Sequence, residues 1–478
     1  MNTLPIPRTG FSLLATLLPL ALAACATVGP DYAAPKDAMP EHFHGQSVGG
    51  ANAQPLKLDL WWTQFQDPAL SRIIERALAQ NLDLAAALAR VEQARASARL
   101  GEANLLPTIG LSAQAAAQRQ SLQSPLGKLA SGHPGYERNA TLFDSGVGAS
   151  WEIDLFGGLH RAAEADQAEA QAAEAERLGV KVSVAAEAAD AYFRIRGAQA
   201  RITLAESQLK TDRDLLELVN LRLKAGLATQ REQAAAEARV AQVAATLPPL
   251  KAERDVQLNR LDVLMGAHPG TYAAELTGPG GSANVPALAM TLQPAELLRR
   301  RPDVIAAERH LAASNARIGV ATAEYYPKFS LSGLLGFEAL NTATPSAANF
   351  QPQLVAGLRW RLFDFGKVDA EVARAKGANA EALARYRQAM LRATEDVENA
   401  LVAQTQTEAE RQELLKEVAA SQRARDSSDA AYQGGAVSLS EVLEQDRQLL
   451  TARDQLARAE TGSARAVIAT YRALGGGW

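Results

Sequence analysis

Two periods alternate along the chain. From Leu60 onward most apolar residues recur at helical spacing, and four short stretches break in with period two. In residues 329–337, Phe329, Leu331, Gly333, Leu335 and Phe337 share one face, while Ser330, Ser332 and Gly336 take the other and Leu334 is the exception. In 354–362, Leu354, Ala356, Leu358, Trp360 and Leu362 oppose Gln353, Gly357, Arg359 and Arg361. In 147–155, Val147, Ala149, Trp151, Ile153 and Leu155 oppose Gly148, Ser150, Glu152 and Asp154. Residues 109–117 alternate more weakly, with Ile109 and Leu111 against Gly110, Ser112 and Gln114. The pattern predicts four strands of about transmembrane length, apolar on one side and polar on the other. Four strands cannot close a lipid-facing barrel alone, so a membrane role requires several chains to share one barrel.

The helical stretches are long. No proline occurs between Gly158 and Ala225, a length on the order of 100 Å as helix. Ile195, Ile202, Leu209, Leu216 and Leu223 recur every seven residues, as do Leu443, Leu450, Ala457, Ala464 and Tyr471. Sevenfold spacing predicts supercoiled helix packing. The facing positions Ala191, Ala198 and Ala205 allow close approach. Leu247-Pro248-Pro249 predicts an interruption and bend in the first return helix. Such helices suit a tube or stalk better than a compact enzyme domain.

The chain also repeats itself. Asp83 and Asp303, Ala96 and Ala316, and Pro107 and Pro327 are each 220 residues apart. Trp151 and Trp360, Phe156-Gly157 and Phe365-Gly366, and Gly226 and Gly435 are each 209 apart. The change of 11 places an insertion in the first half, around Ser121–Asn139. We therefore expect a first repeat over 61–267, a connector over 268–300 and a second repeat over 301–478. Each repeat holds a helix (about 84–104; about 303–324), two strands (within about 106–156; about 327–365) and a long helix pair turning at a glycine, Gly226 or Gly435. The expected class is α+β, with a two-fold internal repeat.

The first 24 residues have the layout of a signal peptide: Arg8, then an uncharged apolar run from Phe11 to Ala23. The run ends in Leu22-Ala23-Ala24-Cys25, which resembles the bacterial lipobox, and Cys25 is the one cysteine of the chain. Lipidation at Cys25 would anchor the mature chain to a membrane surface. Ala26 in place of Asp favours the outer membrane by analogy with enterobacterial sorting. Residues 25–60 are rich in Pro, Gly, Ala and Gln and read as an extended arm.

Composition narrows the function. The 478 residues are 47% hydrophobic, 21% charged and 5% aromatic, with a formal charge of −4, which disfavours a nucleic-acid partner. No nucleophile elbow, P-loop or zinc motif is present, so neither an enzyme nor a cofactor is expected. His42 and His44 lack a third ligand nearby, and the Arg299-Arg300-Arg301-Pro302-Asp303 run reads as a helix start.

Several motifs together carry a resemblance: Val28-Gly29-Pro30-Asp31-Tyr32 after Cys25, Trp61-Trp62 with Phe65, Asp67-Pro68 and Leu70, Arg300-Arg301-Pro302-Asp303-Val304 with Ala307-Glu308, Ile318-Gly319, Tyr326-Pro327, and the ending Tyr471 to Trp478. In this order the chain resembles the outer membrane factor family of TolC- and OprM-like channels, and in particular the NodT-type efflux lipoproteins. The resemblance implies a homotrimer in which four strands per protomer form one outer-membrane barrel. Long helices would continue it as a periplasmic α-helical tunnel, ringed by a mixed equatorial belt. It implies the exit duct of a tripartite pump, with a periplasmic adaptor, an inner-membrane transporter of the RND type and outer-membrane lipid as partners. A type I secretion duct is a variant, and an adaptor lipoprotein with a single hairpin is the other class of reading.

The far ends of the helix pairs would then carry the mechanism. Gly226-Leu227-Ala228-Thr229 and Gly435-Ala436-Val437-Ser438 form turns whose glycines accept a left-handed backbone and whose hydroxyls can cap the next helix. The resemblance makes them adaptor contacts. Tyr432, Glu441 and Glu444 are candidates for a gate of ringed side chains, with Arg222, Lys224 and Arg231 as a latch. Exposed solvated helix surface is the competing reading of both glutamates.

Overall fold

The computed structural model describes residues 27–35, 42–44, 58–276, 284–286 and 299–478. Cys25 and the signal segment lie outside the described residues, as does much of the arm and connector. A 3-10 turn at Trp61–Phe65 precedes α1 (Pro68–Gln80) and α2 (Leu82–Ala103). Next come β1 (Thr108–Arg119), the short α3 (Pro125–Ala130), β2 (Asn139–Ile153), α4 (Gly158–Lys224) and α5 (Gln230–Leu264). After a 3-10 turn at Ala273–Leu276 follow α6 (Pro302–Ala323), β3 (Lys328–Leu340), β4 (Phe350–Arg359), α7 (Lys367–Gln433) and α8 (Leu439–Ala473). Helices α2 and α6 each have 22 residues, α4 and α7 each 67, and α5 and α8 each 35.

Pro248 and Pro249 do not interrupt the return helix, contrary to the sequence expectation: both lie inside α5. Each removes only its own amide from the ladder. Val243 and Leu250, buried on either side, hold the helical path through the gap.

The chain divides into two compact units, each drawing residues from both halves of the sequence. The first comprises Met1–Pro35, Glu92–Ala172 and Glu308–Arg385 and contains the whole sheet. The strands form an antiparallel meander in the order β1-β2-β3-β4, leaving β1 and β4 as open edges. The register sorts the faces. Leu111 pairs with Val147, Val147 with Leu335, and Leu335 with Pro352. The adjoining row on that face holds Ile109, Ala149, Gly333 and Leu354. The opposite face carries Gln114, Asp144 and Glu338 in one row and Ser112, Gly146, Gly336 and Gln351 in another. Ile109, Leu111, Val147, Leu335 and Leu354 are all exposed in the single chain.

Equivalent bonds fix the sheet's base in both halves: the Trp151 indole donates to the Leu105 carbonyl at 2.9 Å, and that of Trp360 to Tyr325 at 3.0 Å. Below it α4 and α6 pack through Ala165, Ala168, Ala312, Ala313 and Ala316. The segment Val28–Tyr32 is strapped across this junction. The Val28 amide donates to Phe156 O at 3.0 Å, and Asn315 donates to Pro30 O at 2.9 Å. The buried Arg161 donates to Asp31 at 2.6 Å, and Tyr32 donates to Glu308 at 2.6 Å. Gly29 has φ +90°, and a Cβ there would lie 2.4 Å from Gly319 Cα, so the close approach needs glycine on both sides.

The second unit comprises Lys36–Val91, Ala173–Ala307 and Tyr386–Trp478. Its core gathers Trp61, Trp62, Phe65, Leu70, Ile74, Tyr192, Phe193, Tyr471 and Leu474. Trp61 stacks on Tyr471 with centroids 5.2 Å apart. Asp67 caps α1, accepting from Ala69 and Leu70 amides at 2.9 and 3.2 Å, and also accepts the Tyr192 hydroxyl. Burial, with the Asp67 bond, pushes the Tyr192 phenol up to about 12.

Arg301 ties three chain segments together. Its guanidinium donates to Ala473 O at the end of α8 (2.9 Å), to Ala393 O in α7 (3.3 Å), to Asp396 (2.8 Å) and to Asp303 (3.0 and 2.8 Å). Arg301→Ala is expected to cost about 2–3 kcal/mol, read as a drop in unfolding free energy. Both carboxylates are half exposed and recover water, so the cost falls mainly on the buried carbonyls and the lost stem. An unchanged melting curve would show that the staple is ornamental.

Candidate functional site

Each long helix pair turns through a glycine with a left-handed backbone, φ +73° at Gly226 and +76° at Gly435. The Gly226 amide donates to Leu223 O at 3.0 Å and that of Leu227 to Arg222 O at 2.7 Å; Gly435 donates to Tyr432 O at 2.9 Å and Ala436 to Ala431 O at 2.8 Å. The caps differ. Thr229 forms a full capping box with Glu232: its hydroxyl accepts the Glu232 amide at 3.2 Å, and the Glu232 carboxylate accepts the Thr229 amide at 2.7 Å. Those bonds hold the Glu232 carboxyl below its ordinary value. Ser438 occupies the same cap position with no side-chain bond, so only one of the two hydroxyls acts as the sequence suggested. Thr229→Ala is expected to loosen α5's first turn by about 1 kcal/mol, seen as faster amide exchange at Arg231 and Glu232. Ser438→Ala is expected to leave α8 unchanged.

The turns are bound to one another beneath their tips. Val219, Ala236 and Leu439 form a small core with Leu216, Ala228, Tyr432 and Leu443 against it. Arg222 donates to the Tyr432 hydroxyl and its guanidinium also lies over the ring, 5.7 Å from the centroid. Thus the structure joins two predicted gate residues, and Arg222 meets a phenol rather than an acid. Lys224 is exposed and makes no salt bridge among the described residues. Gly226, Leu227 and Thr229 are exposed with Gly435, Ala436 and Ser438, while Ala228 and Val437 are half-buried.

The two glutamates face solvent in the single chain. Glu441 lies in the first turn of α8. Glu444 accepts from Arg447 on its own helix at 2.9 and 2.5 Å and from Gln448 at 3.0 Å. These donors pull its carboxyl down to about 2.

A buried ionic cluster behind the turns escaped the sequence reading. Asp212 of α4 lies 3.2 Å from Arg239 of α5 and accepts from Gln208 at 2.8 Å. Asp446 of α8 accepts from Arg425 of α7 at 3.0 Å. Asp212, Arg239 and Asp446 are all buried. The Asp212–Arg239 contact is within ion-pair range but poorly aligned, leaving Asp212 Oδ2 and Arg239 Nε and Nη2 without a hydrogen bond. Burial first, with the nearby Asp446 charge, raises the Asp212 carboxyl above its ordinary value, although Gln208 and Arg239 oppose it. The signal was present: Asp212 continues the seam of Ala191, Ala198 and Ala205 at seven-residue steps. A charge at a seam position must find a partner.

The chain combines an exposed amphipathic four-stranded sheet with very long paired helices that turn at glycines. The family described as outer membrane efflux protein matches residues 73–267 and 294–476, and the chain belongs to it. The chain is 35% identical over 465 residues to the pyoverdine export outer membrane protein OpmQ of Pseudomonas putida, covering 97% of each. It is 31% identical to nodulation protein T of Rhizobium leguminosarum bv. trifolii, covering 96% of each. Among solved structures, the outer-membrane channel OprN superposes with a TM-score of 0.84 at 35% identity, over 95% of this chain and all of that one. The open state of the MtrE outer membrane channel of Neisseria gonorrhoeae superposes with a TM-score of 0.82 at 26% identity, over 95% and 98%.

Proposed function

We propose that the protein is the outer-membrane exit duct of a tripartite efflux pump, anchored by lipid at Cys25. Three copies join the open edges of β1 and β4 into one barrel of four strands per chain, and the long helices continue it as a periplasmic tunnel. The 220- and 209-residue offsets reflect an internal duplication that gives the trimer pseudo-sixfold character. A periplasmic adaptor meets the turns at Gly226–Thr229 and Gly435–Ser438, and an inner-membrane transporter, of the RND type, supplies the energy. The duct itself is passive and not an enzyme: it conducts small molecules outward.

The observation that carries this reading is the sheet, whose one apolar face is exposed and whose two edges are unpaired among the described residues. Such a face needs lipid or protein against it, and such edges need other strands. Export of proteins by a type I system would use the same architecture. The adaptor reading calls for one hairpin, and this chain has two long helix pairs. At the tips, Tyr432 with Arg222 links the two hairpins, the pairs Asp212–Arg239 and Arg425–Asp446 each brace one hairpin from within, and Glu441, Glu444 and Lys224 set the charge around the opening.

Native mass spectrometry of protein extracted from outer membranes tests the assembly. Three chains per particle, each carrying the added mass of acyl chains on a 25–478 polypeptide, are expected. A soluble, unmodified monomer would overturn the proposal.

A further inference from the structure

We propose that a groove beside the ionic cluster is a binding site for a small amphiphilic anion: a carboxylate head on an unbranched apolar tail of roughly eight to twelve carbons. The groove has a volume of about 600 Å³ and lies between α4, α5 and α8, a size usual for small-molecule sites. Charge and greasy surface are segregated along it. Arg239 and Arg447 stand at the end nearer the turns, and Val243, Leu250, Leu204 and Leu450 line the middle. At the far end Arg201, Asp454, Glu253 and Arg458 satisfy one another, with Arg201 at 2.7 Å and Arg458 at 2.9 Å from Asp454.

At the near end Arg447 is held by Glu444, but Arg239 is only partly satisfied. Arg239 lines the groove and is only 7% exposed; its Nε meets Asp212 in a poorly aligned ion pair at 3.2 Å, and its Nη2 has no hydrogen-bond acceptor. A buried guanidinium with an unmet donor and a strained ion pair is costly, and a ligand carboxylate would relieve it by charge-assisted bonds. The proline pair shapes the wall beyond. Pro248 and Pro249 lack the amides that would bond the carbonyls of Ala244 and Ala245, and Ala245, Thr246 and Pro249 all border the groove. From Arg239 to Leu250 the helix rises roughly 16 Å, room for a carboxylate and a tail of the stated length. This assignment stands on the groove alone and does not depend on the duct reading.

The test is calorimetric titration of the full-length protein, held in amphipol with an amphipol blank subtracted, with sodium decanoate. One saturable site per chain is expected. Decyltrimethylammonium, with the same tail and the opposite charge, and acetate, with the head alone, should each bind at least about tenfold more weakly. Arg239→Gln should weaken decanoate about tenfold. Leu450→Glu, which places a like charge on the half-buried apolar wall without touching the ionic cluster, should do the same while retaining the wild-type circular dichroism. Equal binding of the cationic amphiphile, no saturable decanoate binding, or affinity unchanged in the folded Leu450→Glu protein would each overturn the assignment.

Discussion

Arg239→Ala is expected to convert a nearly silent channel into a steadily conducting one in planar bilayers. Arg239 is the counter-charge of Asp212 within the first hairpin, and both side chains are buried. Removing it strands a buried carboxylate beside Asp446, with only Gln208 to hold it. Breaking a buried pair from one side costs about 3 kcal/mol, enough to shift a two-state opening more than a hundredfold. Moving α4 away from Asp446 of the second hairpin would both rehydrate Asp212 and relieve that like-charge contact. By contrast, Glu444→Ala should leave conductance near the wild-type level, because Glu444 bonds within α8 and faces solvent. Steady conductance from Glu444→Ala with silence from Arg239→Ala would move the gate to the glutamates.

The same cluster gives the closed state a pH dependence. Burial holds the folded Asp212 carboxyl above its ordinary 3.8, so folding favours its protonation relative to the unfolded chain. Its contribution is full below that value and is lost as pH rises through the raised folded value. Asp212→Asn should flatten this slope, measured as amide exchange near the turns between about pH 4 and 7 after correction for intrinsic rates.

Trp61→Ala should cost about 3–5 kcal/mol of unfolding free energy, the largest loss from any single truncation considered. Trp61 is 1% exposed, stacks on Tyr471, meets Trp62 and Phe65 edge-on, and leaves no room for a side chain at Gly476, where a Cβ would lie 3.2 Å from its ring. The void would therefore sit where the chain's C-terminal tail crosses the core, with ordered groups on every side that cannot collapse into it. Trp61→Phe should recover about half of the loss, as judged by denaturant midpoint. A loss below about 1 kcal/mol for the alanine variant would show that this region is loosely packed.

The motifs that carried the family resemblance turn out to be packing and capping positions. Trp61, Trp62, Phe65 and Tyr471 build one core; Asp67 caps α1; Arg301 fastens α6 to the carbonyls of α7 and α8; Gly29 and Gly319 allow the amino-terminal strap to cross. These were legible because each needs a distinctive residue type. Helix lengths were legible for a different reason, since sevenfold spacing and turn glycines mark both body and ends.

Strand ends were harder to read. β2 begins at Asn139, eight residues before its clear alternation, because Thr141, Phe143 and Ser145 mix polar and apolar residues on one face. β4 starts at Phe350 and accepts Pro352 because it is an edge strand, where a missing amide is tolerated. It stops at Arg359, one residue before Trp360, whose indole donates to the Tyr325 carbonyl. The ionic cluster was hidden because its four charges come from four helices. Only their packing shows that Asp212 and Arg239 meet, although Asp212 stood out of place in an alanine seam.

In the assembled barrel the apolar face of the sheet is expected to meet lipid. Spin labels placed singly at Leu111, Val147 and Leu335, and at Gln114, Asp144 and Glu338, would report it in outer-membrane vesicles. The account predicts that the first three are relaxed by dissolved oxygen and shielded from a water-soluble nickel chelate, and that the second three show the reverse. Equal access of the chelate to both sets would place the sheet in water and contradict the barrel.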